Sequence, residues 1–171
     1  ALWHSNHGCR GNRLQSRFSA SIREEIKRGD IVIDGHMHLE NGPLTVEYAM
    51  KYVEAGVKAG MDTIQILDHT HRFLEFKPMY DNLKQASVYQ KDWFEKKKLE
   101  PLQSYFNLIE EMKKMELPIA VRFGLEVCYA PQDKAFLRDL LAGYPYDFLI
   151  GSIHSIDGLL YDMNGFSREI L

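Results

Sequence analysis

The residues able to do chemistry fall into four short groups. The first, Asp34-Gly35-His36-Met37-His38, follows Ile31-Val32-Ile33, an apolar run that reads as a strand. Side chains at i and i+2 of an extended segment share a side. His36 and His38 can therefore aim both imidazoles into one space just past the strand's end. Neutral imidazole suits zinc, iron and related divalent metals, and two ligands on one rigid element lower the ordering cost. A lone His-x-His is short enough to arise with one histidine packed and the other solvated. The other groups shift that balance: Asp68-His69-Thr70-His71-Arg72, Phe123-Gly124-Leu125-Glu126-Val127 and Ser152-Ile153-His154-Ser155. Each closes a strand-like run, and the carboxyl ends of strands are where α/β sheets and barrels build their sites. Five metal-type side chains, His36, His38, His69, Glu126 and His154, then converge on one rim.

Those positions depend on an alternation of elements from Asp30 onward. Pro43-Leu44-Thr45 opens a helix whose apolar positions Val46, Met50, Val53 and Val57 recur at three- and four-residue steps and stop at Gly60. Residues 63–67 are β-branched enough for a second strand, and 79–100 read as long, polar and mostly helical. Pro101 suits the first turn of another helix, with Leu102, Phe106, Ile109 and Met112 along its buried stripe. Residues 119–127 form a third strand, 133–142 a helix ended by Gly143, and 146–153 a fourth strand. The pattern argues for an α/β fold with parallel strands covered on both faces.

Composition narrows the function. The chain has 171 residues, 45% hydrophobic, enough for one domain with a real core. Net charge is −3 and positive residues are scattered, so no nucleic-acid partner is expected. Lys96-Lys97-Lys98, beside Glu95 and Glu100, reads as the solvated face of a helix. Two cysteines, Cys9 and Cys128, are too few for a disulfide framework and fit a reducing cytoplasm. No apolar stretch approaches a membrane span, so no membrane partner is expected. Residues 1–29 differ from the rest: Arg10, Arg13, Arg17 and Arg23 are interleaved with serines, and no acid precedes Glu24. They read as a leader or poorly ordered extension, with His4, His7 and Cys9 as bystanders. Residues 30–171 read as the domain.

Taken in order, the four motifs closely resemble those of the polymerase-and-histidinol-phosphatase (PHP) superfamily, and within it the histidinol-phosphatase branch. The resemblance covers residues 31–171. It implies a distorted (β/α)7-type PHP barrel, of which about the first four strand-helix units are present here. It further implies two or three divalent metal ions (zinc, manganese or iron) at the C-terminal rim, and hydrolysis of phosphoesters. On matching positions, His36 and His38 bind the first metal, Glu126 bridges two, His154 binds the second and His69 helps hold the third. Either Glu40 or Glu47 supplies the further acid that often follows the first motif. His71 lies in the right loop for a substrate-binding or proton-transfer role. Arg72 and Arg168 are the arginines placed for phosphate, with a surface ion pair as the alternative for each. The family closes its barrel with an Asp-x-His motif on a late strand. The chain reaches Leu171 without one and so reads as a fragment or a truncated natural product.

The function expected on this basis is metal-dependent phosphomonoester hydrolysis, with histidinol phosphate, an intermediate of L-histidine biosynthesis, as the small phosphorylated substrate. The alternatives are a catalytically inactive PHP-type binding module, or another PHP phosphoesterase acting on phosphotyrosine or DNA ends; the weak positive field argues against DNA. Blander roles fall to Cys128 as a core residue, to Trp93, Phe94, Tyr105 and Phe106 as helix packing, and to Ser152 and Ser155 as supports for the ligand His154.

Overall fold

The computed structural model describes residues 30–161. Arg168 and residues 1–29, with the leader expected there, lie outside that range. Four parallel strands stand side by side in chain order: β1 (Ile33–His38), β2 (Thr63–His69), β3 (Ala120–Cys128) and β4 (Phe148–Ser152). Between β1 and β2 runs helix α1 (Val46–Ala59). Thr45 caps its start by accepting from the Tyr48 N–H, and Gly60 ends it at φ 78°, a left-handed conformation that favours glycine. Between β2 and β3 come two single turns, Thr70–Arg72 and Leu74–Phe76, then α2 (Lys77–Ala86), α3 (Val88–Glu95) and α4 (Leu102–Lys113). Helix α5 (Lys134–Leu141) joins β3 to β4. The described residues thus form an α/β unit of four parallel strands and their helices, in the order expected for the first four strand-helix units.

The mostly helical stretch expected over 79–100 holds two helices, α2 and α3. Ser87 takes an extended conformation, and its hydroxyl accepts from the Gln90 N–H at 3.1 Å, so a new N-terminus begins there. Serine favours capping over helix interiors because its side chain competes for backbone N–H groups. Helix α3 stops at Glu95, which leaves the lysine run beyond it. We call α2, α3 and residues 96–98 the arm.

The core is filled by one face of α4 (Leu102, Tyr105, Phe106, Leu108, Ile109 and Met112) against the interior residues of β2 and β3. Tyr105 is fully buried, and its hydroxyl donates to the Gly124 carbonyl at 2.8 Å, so the ring's polar end is satisfied. Cover on both faces holds for β2 and β3 only. Each of β1 and β4 has one strand neighbour, and Ile33 and Leu149 on them are exposed. After β4, Ser155–Ile156 (β5) and Leu159–Leu160 (β6) form a small hairpin. Its turn, Asp157-Gly158, has φ of 50° and 81°, the paired positive values that a two-residue hairpin loop demands.

Candidate metal centre

Register brings the site together. In parallel pairing, His69 on β2 is the direct partner of Glu126 on β3, and His38 on β1 is the partner of Leu67. Both His36 and His38 lie within β1 rather than beyond it. The pairing with β2 shifts between Asp34 and Met37, so His36 stands in an irregular stretch. Both rings nevertheless face the same way, with centroids 4.8 Å apart.

The Glu126 carboxylate is the centre of the group. Its Oε2 lies 2.8 Å from His36 Nε2, 3.2 Å from His38 Nε2 and 3.4 Å from His69 Nε2. Oε1 lies 3.1 Å from His154 Nε2 and accepts from the Ser152 hydroxyl at 2.5 Å. Burial alone would raise the Glu126 pKa. The Ser152 hydrogen bond, then His69, His36 and His154, outweigh it, and the net shift is downward. The carboxylate is held ionised. Ser152 therefore supports Glu126, where the sequence suggested that it orients His154.

A second acid joins from the loop after β1. Glu40 Oε2 lies 2.9 Å from His69 Nδ1 and 3.8 Å from His71 Nε2. The His69 hydrogen bond holds Glu40 down to about 2. Between the two acids left open by the sequence, the geometry selects Glu40; Glu47 is exposed in the first turn of α1. His69 feels burial, which lowers its pKa, but Glu40 reverses the sign and the net shift is upward. For His38, burial and then His69 prevail, and its pKa falls.

Three overlapping groups can each hold an ion: His36, His38 and Glu126; His69, Glu126 and His154; and His38, Glu40, Asp68 and His69. The donor chemistry fits. His36 Nε2 and His38 Nε2 are 2.7 Å apart, and two ring nitrogens that close need a shared proton or a cation between their lone pairs. Asp68 is the poorest of these donors. It is fully buried and its Oδ2 is taken by Arg72 Nη1 at 2.7 Å, although burial still pushes its pKa up to about 6.

The remaining predicted residues are placed differently. Arg72 is buried and makes four hydrogen bonds: Nη1 to Asp68, Nη2 to the Gly42 carbonyl and to Glu100, and Nε to Glu100. Neither a phosphate clamp nor a surface pair describes it, because its donors tie the turn after β2 to residues 42 and 100. His71 stacks on Trp93 at 5.2 Å, and burial, then Lys97, push it down to about 3. It is neutral at pH 7 and lacks the spare proton of a general acid. Cys128, Phe94, Tyr105 and Phe106 are buried, as expected of packing residues.

Sequence reasoning missed the arm's contribution. A cavity of about 470 Å³ opens beside the metal-type residues, with Glu40, His71 and His154 on one side and Tyr89, Trp93 and Lys97 on the other. Lys97 Nζ sits 4.1 Å from the Trp93 ring centroid. The i, i+4 spacing of Trp93 and Lys97 was a usable signal for that pair; nothing local said that it faces the site.

Comparison with known proteins bears on the family and the fold. The chain is 26% identical over 140 residues to the probable histidinol-phosphatase of Deinococcus radiodurans, across 80% of this chain and 47% of that protein. It superposes with a TM-score of 0.52 and 21% identity on the histidinol phosphate phosphatase of Lactococcus lactis subsp. lactis Il1403, a structure complexed with zinc, L-histidinol and phosphate. That match covers 75% of this chain and 42% of the other, and it carries the fold. The chain thus spans about half the length of the curated relative it matches. Residues 34–171 match the family model of the PHP domain, and the chain belongs to that family.

Proposed function

We propose that this chain carries the metal-binding part of a PHP phosphomonoester hydrolase, with histidinol phosphate as its substrate. The observation that supports it best is the division of one carboxylate: Glu126 faces His36 and His38 with one oxygen and His154 with the other. A bridging acid between two histidine groups is what a pair of divalent ions requires. His36, His38 and Glu126 would hold one ion, and His69, Glu126 and His154 a second. His38, Glu40 and His69 form a further group, open to an ion only in place of one of these two, since a neutral imidazole has a single lone pair to give. Divalent ions bound there lower the pKa of water and neutralise charge on phosphoryl oxygens.

The chain's own residues then have distinct tasks. Ser152 keeps Glu126 ionised and fixes its plane. Glu40 orients His69 through Nδ1. His71, neutral and beside Glu40, offers a hydrogen bond to an oxygen of the substrate rather than a proton. Zinc, manganese and iron all suit this donor set. A place in L-histidine biosynthesis in the cytoplasm extends the same reading; the relatives' names support its phosphatase part. Among the described residues no helix is long and apolar enough to cross a membrane.

The test is phosphate release from histidinol phosphate by the chain loaded with zinc or manganese. Release should require the metal and fall in His36→Ala and Glu126→Ala by more than the ~100-fold that marks loss of a supporting group alone. Activity at the wild-type level in both variants would refute the reading.

A further inference from the structure

The cavity beside the metal-type residues has acids and imidazoles on its strand side and, on its arm side, a single formal positive charge among the described residues lining it. That charge is Lys97. It is half-buried, and what holds it is the face of Trp93, with no carboxylate of the described residues in ion-pairing distance. A half-desolvated ammonium with no acid partner has donors to spare. Other lysines of the arm differ: Lys84 is paired with Asp81 at 2.8 Å, and Lys96 and Lys98 are exposed. Arg72, the nearby arginine, is consumed by Asp68 and Glu100. Lys97 acts on the rim from where it stands, since its charge is felt by both Glu40 and His71.

We propose that Lys97, propped on Trp93 at the arm side of the cavity, is the anion anchor of this site and takes a phosphoryl oxygen of the bound phosphomonoester. The choice of a phosphoryl group rests on the hydrolase reading above; the cationic anchor rests on the cavity itself. An ammonium is a compact point charge with rotatable donors, suited to an oxygen whose direction varies between substrates, whereas a guanidinium fork fixes one plane. Trp93 sets the position of the ammonium without neutralising it, because a ring face attracts a cation while carrying no net charge. His71 lies against the same tryptophan, so the anchor and the neutral imidazole are spaced by one rigid ring.

The experiment is calorimetric titration of inorganic phosphate into the 171-residue chain, with and without saturating manganese, for wild type, Lys97→Met and Lys97→Arg. Metal content is measured in each. Methionine keeps the stem over Trp93 and removes the charge. The expected result is phosphate affinity about 10- to 100-fold weaker in Lys97→Met at equal metal content. Lys97→Arg should recover most of it. Added salt should weaken the wild type more than Lys97→Met. Affinity within twofold of wild type in Lys97→Met, or no phosphate binding by wild type in either metal state, overturns the anchor. Hydrolysis of histidinol phosphate is followed separately. Turnover with phosphate binding indifferent to Lys97 sinks the anchor and spares the hydrolase. Lys97-dependent phosphate binding without turnover of any phosphomonoester does the reverse.

Discussion

Rim and arm face each other across one cavity, yet their rigidity comes from different sources. On the rim, backbone register decides where a side chain stands: His69 and Glu126 are direct partners across β2 and β3, and neither can drift without breaking the ladder. Behind them Arg72 is sealed between two carboxylates. The arm has no strand in it. It is held by the packing of Met79, Tyr80, Leu83 and Phe94 and by one buried amide, Gln90. The charge of Arg72 is therefore a structural commitment, and that of Lys97 is free to serve a ligand. Arg72 and Lys97 carry the same sign and border the same second cavity of about 410 Å³, but only one has spent its donors.

The sharpest way to break this contrast is Arg72→Met. Removing one partner of a buried ion pair strands the other, and Asp68 is fully buried. The expected loss is about 3–5 kcal/mol of unfolding free energy, read by denaturant titration, because an uncompensated buried charge is the costly case. Lys97→Met should leave the same titration within about 0.5 kcal/mol, as substitutions away from buried networks do. Equal losses would erase the distinction between the two cations.

How much of this could be read in the sequence follows the same division. The strands and the rim were legible because their signals are local: an apolar run followed by a metal-type residue, four times over. Where the sequence left Glu40 and Glu47 open, a loop geometry set by tertiary contact decided, since His69 lies 29 residues from Glu40. Arg72 was misread for a related reason. Its partner Glu100 is 28 residues away, and nothing beside Arg72 in the chain announces it. Lys97 looked like part of a solvated run because its neighbours are exposed and it alone turns inward. The Ser87 break was available from capping chemistry; the end of α3 at Glu95, which leaves the lysine run outside the helix, was not. Asp157-Gly158 is likewise a hairpin signal that stood in the sequence unused.

A smaller effect separates arm from rim directly. Gln90 donates to the Leu83 carbonyl at 2.6 Å and the Gly158 carbonyl at 2.9 Å, and it accepts from the Leu160 N–H at 3.0 Å. It thus ties α2, α3 and the β5–β6 hairpin together. Gln90→Leu keeps the volume and leaves those backbone groups without partners, which costs about 1–3 kcal/mol. Because Gln90 bonds none of the metal-type side chains, metal affinity should stay as in wild type while hydrogen exchange of the Leu160 amide accelerates. A drop in metal affinity of the same size would mean that arm and rim are one cooperative unit.

The smallest effect concerns how β4, which presents His154, is fixed to the rim. Asp147 precedes β4; its carboxylate accepts from the Phe123 N–H at 2.8 Å and from Lys113 at 2.7 Å. Burial pushes its pKa up, but Lys113 and the Phe123 amide pull harder, and the net shift is downward. A carboxyl depressed in the folded state contributes stability above its unfolded pKa of 3.8 and loses it as pH falls through the lower folded value. Asp147→Asn removes the charge and keeps the shape, so at pH 7 the variant should be less stable by up to about 1 kcal/mol, the upper end for a partly exposed ion pair. Below pH 3.8 the gap to wild type should close, since protonation turns the native side chain into a neutral group as well. Stability curves for the two proteins between pH 3 and pH 7 check both the size and the sign. A gap that stays constant over that range would assign the role of Asp147 to its shape, and β4 would then be held to the rim by packing and the ladder alone.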